Sequence, residues 1–244
     1  ARVYWGMFAQ WITSRLPPLA RWHELLPSQC RVCHAWPSHT VCEACVNQFA
    51  QPQTRCNTCA LPLPAGARQC GACLKNPPPL DQCLAAVDYA YPWSQLIQDY
   101  KFRDAPGLVR SFATLLRATP WVEPALEQAD WLLPIPLSPR RLRERGYNQA
   151  LLLARQLDAN KTQADLLLRT QDTPVQHSLK RVERLHALDH AFAVPTPLCH
   201  RLEGQRVVLV DDVMTTGASL HAAARVLRAA GAAHITGLVI ARTA

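Results

Sequence analysis

The sequence predicts an α/β protein, a parallel sheet flanked by helices, preceded by a small cysteine-rich module. Beyond Leu80, short apolar runs alternate with helical stretches, the order that builds parallel strands joined by right-handed crossovers. Eight of the ten cysteines fall between Cys30 and Cys73, as four C-x2-C pairs. The run "RVVLVDD" (Arg206–Asp212) holds four consecutive aliphatic residues, as a strand covered on both faces requires, and ends on two acids.

The chain of 244 residues is 49% apolar, enough for one good-sized domain plus a small one and too apolar for global disorder. Its net charge of +8 suits an anionic ligand, either a phosphorylated small molecule or nucleic acid, and does not choose between them. An arginine-rich composition accounts for the charge equally well. The opening "ARVYWGMFAQWITSRLPPLARW" predicts a short amphipathic helix ended by Pro17 and Pro18, within an N-terminal segment 1–27. The uncharged run between Arg2 and Arg15 is too short to span a bilayer, and no other segment approaches that length. A soluble, cytoplasmic protein without a transmembrane segment is therefore expected.

The cysteine-rich module covers residues 28–76. Proline-rich punctuation, "LPLPAG" and then "NPPPLD", closes it and puts a boundary near Pro77–Leu80. Then "CLAAVDYAY" (83–91) predicts a strand. "PWSQLIQDYKFRDAPGLVRSFATLLRA" predicts two helices broken around residues 104–107. "DWLLPIPL" (130–137) predicts a strand, followed by an arginine-rich loop and the helix "GYNQALLLARQLDAN". "ADLLLRT" predicts a short strand and "GQRVVLVDD" a buried one. "GASLHAAARVLRAAGA" is an alanine-rich helix stopped by Gly231, and "HITGLVIARTA" a final strand.

The cysteine pairs are Cys30 and Cys33, Cys42 and Cys45, Cys56 and Cys59, and Cys70 and Cys73. Two intervening residues let both thiolates of a pair face one ion, and two pairs complete a tetrahedral sulfur site. Eight thiolates therefore suit two structural zinc ions, which would supply folding energy to a segment with little core of its own. A disulfide scaffold needs an oxidising compartment, and no secretory signal points to one. An iron–sulfur cluster is less common at these spacings, and a redox dithiol needs only one such pair. Sequential pairing is expected, with interleaved pairing left open by the spacing. His34 and His39 sit among the cysteines and are read as surface residues. Four-thiolate sites leave no open coordination position, so the module is expected to be structural or to grip a partner. Trp22, Trp36 and Phe49 could stack on bases or form a small core. Cys83 is read as a buried apolar residue, and Cys199 has no assignment.

In an open parallel sheet, ligands bind beyond the carboxyl ends of the strands. "RVVLVDD" delivers Asp211 and Asp212 to that edge, and "MTTGAS" (214–219) supplies small residues at the mouth of the next helix. Backbone N–H groups and hydroxyls there form a phosphate cradle, which Gly217 lets a ligand approach closely. Two carboxylates beside such a cradle suit a sugar phosphate whose vicinal hydroxyls they accept. A single Asp would serve as a mere helix cap; two acids followed by Thr-Thr-Gly-x-Ser are far more specific. No Gly-x4-Gly-Lys-Ser/Thr loop occurs.

The stretch "VVLVDDVMTTGAS" (207–219) resembles the phosphoribosyl diphosphate (PRPP) signature of type I phosphoribosyltransferases. More narrowly, the chain resembles the ComF family, also described as ComF/GntX-like, in which a cysteine-rich, double zinc-ribbon-like region precedes a phosphoribosyltransferase-like domain. The likeness runs from about Cys30 to the C-terminus. It includes "KFRDA" (101–105), "PIPLSPRRLRERGYNQA" (134–150) and "RTQDTPVQHSLKRVERLHALDHAF" (169–192), where Ala187 stands in place of a family Asn.

The resemblance implies a type I phosphoribosyltransferase-like fold over 80–244 and a transferase of the glycosyltransferase class with an unknown acceptor. It implies that Asp211 and Asp212 form the catalytic pair and hold the ribose hydroxyls. Val213, Met214, Thr215, Thr216, Gly217, Ala218 and Ser219 would complete the PRPP site. The loop carrying Arg140, Arg141, Arg143 and Arg145 would lie against pyrophosphate, for which guanidinium forks are well matched. Mg²⁺ would accompany PRPP. Lys101, Thr173, Gln176 and Arg184 are candidate contacts of a hood over the ligand. His177, His186 and His190 lie in that region without a pairing carboxylate in the sequence. The family is linked to natural competence, so single-stranded DNA and competence or DNA-processing proteins are the implied partners. The competing reading is a catalytically silent factor that binds single-stranded DNA or protein and keeps the fold as a scaffold.

Overall fold

The computed structural model describes residues 28–103, 105–170 and 191–244. The chain divides into two compact units at Val46/Asn47. Helix α1 (Glu43–Phe49) begins directly after Cys42 and carries Cys45, the other member of the second cysteine pair, and α2 (Gly71–Lys75) follows Cys70, its N-cap residue.

The second unit is built on four parallel strands. The chain runs through β1 (Gln82–Asp88), α3 (Trp93–Phe102), α4 (Leu108–Arg117), α5 (Val122–Gln128) and β2 (Trp131–Pro134). It continues through α6 (Pro139–Arg145), α7 (Gln149–Leu157), β3 (Leu168–Arg169), β4 (Phe192–Ala193) and a 3₁₀ turn (Thr196–Arg201). It ends with β5 (Arg206–Met214), α8 (Ala218–Ala229) and β6 (His234–Arg242). The sheet order is β1-β6-β5-β2. Its register pairs Leu133 with Leu209, Leu209 with Gly237, and Gly237 with Cys83. The central strands carry the apolar runs: Val207, Val208, Leu209 and Val210 on β5, and Leu238, Val239, Ile240 and Ala241 on β6, are all buried.

The α3–α4 break falls where the sequence puts it, and the parallel α/β architecture is as expected. Three elements differ. The arginine-rich segment is a short helix, not a loop: Ser138 caps it by accepting the Arg141 N–H at 3.4 Å, Pro139 opens it, and Gly146 closes it at φ +75°. The strand within "ADLLLRT" is two residues long and leaves the main sheet for an antiparallel ladder with β4. Residues 122–128, for which the sequence predicts no element, form α5.

The second cysteine group is part of the main core. Cys56, Cys59, Cys70 and Cys73 are buried and pack in one cluster with Leu80, Cys83, Leu209, Met214 and Val239. The edge strand β1 receives this segment: the Cys83 N–H donates to the Asn57 carbonyl at 2.7 Å, and Arg55 pairs with Asp88 at 2.8 Å. Cys83 itself is buried as expected, and desolvation pushes its thiol up to about 12.

Candidate functional site

The four sulfurs of Cys30, Cys33, Cys42 and Cys45 lie within 4.8 Å of one another, and so do those of Cys56, Cys59, Cys70 and Cys73. Pairing is therefore sequential. A Zn–S bond of about 2.3 Å places tetrahedral ligands roughly 3.8 Å apart. The separations Cys30–Cys45 (3.9 Å), Cys33–Cys42 (3.6 Å) and Cys59–Cys70 (3.7 Å) match that edge. They are far longer than a disulfide bond of about 2.05 Å. Main-chain N–H groups point at the sulfurs, from Cys42 to Cys30 Sγ at 3.4 Å and from Cys70 to Cys56 Sγ at 3.3 Å, which stabilises thiolate charge. Both groups fit structural zinc. His34 and His39 are exposed and join neither group.

Trp36 is exposed, while Phe49 packs edge-on against Tyr91 at 5.6 Å. Trp22 lies outside the described residues.

The acid pair sits on β5, two and three residues before its end. The strand continues through Val213 and Met214, which pair with Ala241 and Arg242. Asp212 is buried and meets Lys101, with Nζ 2.9 Å from its Oδ1. Asp211 accepts the N–H of Asp212 at 2.9 Å. Desolvation, followed by the charge of Asp212, raises the Asp211 carboxyl to about 7, against the lowering pull of Lys101 and Arg145.

After Met214 the chain turns through Thr215 and Thr216 into Gly217, at φ +81°, and α8 begins. The Ala218 N–H reaches Thr216 Oγ1 at 3.4 Å, but no side chain caps the helix at Gly217. With glycine as the N-cap, the first-turn amides at the start of this twelve-residue helix suit an anion. Gly217 is required twice over. Its conformation is left-handed, and a Cβ there would stand 2.5 Å from Met214 Cε and 2.8 Å from His221 Nε2.

A polar lattice holds the two cations beside the acids. Tyr100 donates to the Gln149 carbonyl at 2.8 Å, Gln149 Nε2 to the Lys101 carbonyl at 3.3 Å, and the Tyr147 hydroxyl to the Tyr100 carbonyl. Asn148 caps α7 and ties back to the Ile135 carbonyl at 3.1 Å. The C-terminal end of α3 is thereby fixed to the start of α7. Arg145 lies 4.7 Å over the Phe102 ring and donates to Gln149 Oε1 at 3.1 Å. Burial lowers the pKa of its guanidinium, against the raising charges of Asp212 and Asp211. Arg140 instead pairs with Glu144 at 2.8 Å on the exposed side of α6, Arg143 is exposed and Arg141 half-buried.

Of the expected hood residues, Lys101 meets the acid pair, whereas Thr173, Gln176 and Arg184 lie outside the described residues, as do His177, His186 and His190. Sequence reasoning missed Tyr100, Tyr147, Gln149 and Arg242. The visible signals were a "GYNQ" start to α7 and an arginine closing the apolar strand "GLVIAR".

A model described as the phosphoribosyl transferase domain matches residues 144–243. The DNA utilization protein YhgH of Escherichia coli (strain K12) is 31% identical over 225 residues, covering 88% of this chain and 95% of the relative. Competence protein F of Haemophilus influenzae is 32% identical, covering 83% of this chain and 90% of the relative. Competence protein ComFC of Bacillus subtilis is 32% identical over 67% of this chain and 65% of its own length. Relatives that share nearly their whole length with it thus place the chain in a family that the acid pair, the glycine turn and the paired cysteines already outline, and it belongs to the ComF family of proteins with a phosphoribosyl transferase domain.

Proposed function

We propose that the protein binds PRPP through Asp211, Asp212 and residues 213–219 and transfers its phosphoribosyl group to an acceptor. The observation that carries this reading is the acid pair on β5 beside the glycine-capped start of α8, inside a phosphoribosyl transferase domain. The two carboxylates accept the ribose hydroxyls, and the amides at 217–219 hold the 5′-phosphate. Arg145, with Arg141, draws the diphosphate toward the same edge of the sheet, and Arg143 adds positive field, while the charge of Arg140 is paired with Glu144. As the bond from ribose C1 to the diphosphate oxygen breaks, C1 becomes oxocarbenium-like. The acceptor closes a new bond to C1, and inorganic diphosphate leaves with both electrons of the old one. Mg²⁺ bound with the substrate would neutralise that leaving group.

The cysteine groups take two structural zinc ions, consistent with unbridged thiols in a reducing cytoplasm. Among the described residues, no helix is long and apolar enough to cross a membrane. The relatives named for competence and DNA utilization support a role in DNA uptake and processing, alongside competence proteins and single-stranded DNA. Calorimetric titration with PRPP and Mg²⁺ tests the site. Binding by the wild type that vanishes in Asp211→Asn/Asp212→Asn supports it; no binding by a folded, zinc-loaded wild type overturns it.

A further inference from the structure

Arg242 closes β6 and is 5% exposed, although it carries a full charge. Its guanidinium is held by main-chain carbonyls from three places in the chain. Nε donates to Cys59 at 2.9 Å, and Nη1 to Met214 at 3.2 Å, with further bonds to Thr215 and Thr243. Cys59 belongs to the second cysteine group, and Met214 and Thr215 begin the phosphate turn. One side chain therefore joins the sulfur centre to the loop expected to hold a phosphate. A second link runs parallel to it: Cys83, which receives the knuckle through Asn57, lies 3.5 Å from Met214 Sδ.

The chemistry gives this bridge a reason. Four thiolates around one divalent ion form a doubly negative centre, and this one is buried in the core. A buried guanidinium beside Cys59 offsets that charge. The same cation places positive potential beneath Thr215, where an anion would arrive. Resting on the PRPP reading above, we propose that Arg242 is a positioning residue that couples the second cysteine centre to the phosphate turn. The metal-filled knuckle fixes the guanidinium, and the guanidinium fixes the turn in its phosphate-binding shape.

The test uses the full zinc-loaded chain. Hydrogen–deuterium exchange is followed by mass spectrometry over residues 214–220 in the wild type, Arg242→Lys, Arg242→Met, Cys73→Ser and Cys33→Ser, with zinc content measured for each. Titration with PRPP and Mg²⁺ accompanies it. Arg242→Met should speed exchange in 214–220 and weaken PRPP binding roughly tenfold or more, as expected for losing charge-assisted bonds to the turn. Arg242→Lys, which keeps the charge but not the fork, should fall between Met and wild type. Cys73→Ser should speed exchange in 214–220, and Cys33→Ser, in the other group, should leave it as in the wild type. Unchanged exchange in a folded Arg242→Met chain overturns the proposal. If that variant fails to fold, unchanged exchange in both Arg242→Lys and Cys73→Ser overturns it. Coupled exchange in a wild type that ignores PRPP would sink the sugar-phosphate reading and leave the coupling standing.

Discussion

Lys101→Met probes the electrostatics of the acid pair most directly. Lys101 Nζ stands 2.9 Å from Asp212 Oδ1, with the two side chains 17% and 10% exposed. Removing the lysine strands a largely buried carboxylate. Full burial would make that a loss of about 3–5 kcal/mol. The residual exposure here reduces it to about 2–4 kcal/mol at neutral pH, a fall in Tm of roughly 5–15 °C for a chain of this size. The pH dependence carries a second signature. The Asp211 carboxyl already sits near 7, above its ordinary value of 3.8, so the fold favours its protonated form. In the wild type this contribution to stability is fully present below about pH 4 and is lost as pH rises through 7. Lys101 is among the charges holding Asp211 down, so its loss moves that window to higher pH. Thermal unfolding from pH 5 to 8 should show Lys101→Met losing more stability than the wild type toward the alkaline end. Lys101→Met/Asp212→Asn, which removes both charges, should recover much of the loss. A double variant as unstable as the two singles added together, with parallel pH profiles, would refute the pairing argument.

Gly217→Ala should cost roughly 1–2 kcal/mol from its left-handed backbone alone, and it should weaken PRPP binding further by pushing Met214 and His221 aside; thermal melts and calorimetry read the two effects separately. Tyr100→Phe removes the hydroxyl that donates to the Gln149 carbonyl, which keeps its place in the α7 ladder, and should cost about 0.5–1.5 kcal/mol by chemical unfolding. Cys59→Ser should strip metal from a group inside the main core and lower the melting of the sheet-bearing unit, measurable by calorimetry with zinc analysis.

The elements that were legible before any coordinates share one property: their signal is local. Four C-x2-C pairs state a ligand set by spacing alone, and a continuous apolar run closing on Asp211 and Asp212 states a buried strand and its exposed edge together. Sequential pairing of the cysteines needed three dimensions, because identical C-x2-C pairs serve either arrangement. The arginine segment was misread because four cations in six positions outweighed the Ser138-Pro139 start and the Gly146 stop, which together specify a helix. Turning it into a helix matters for the site: the arginines point different ways, and Arg145 is singled out beside Phe102 and the acids while Arg140 is spent on Glu144.

The least legible part is the lattice that aims the cations. Lys101 has the sequence signature of an ordinary lysine at a helix end, and nothing within α3 says that Asp212 will stand against it. Its placement depends on carbonyls, those of Tyr100, Lys101 and Gln149, which every residue possesses and no motif advertises. The same holds for Arg242, whose listeners are the main chain at Cys59, Met214 and Thr215. The acids and the glycine turn are written in residue types, whereas the parts that set their charge and shape are written in backbone groups brought together by the sheet. Substitutions at Lys101 and Arg242 are therefore the informative ones. They perturb the charge and shape of the site while leaving Asp211, Asp212 and residues 213–219 in place.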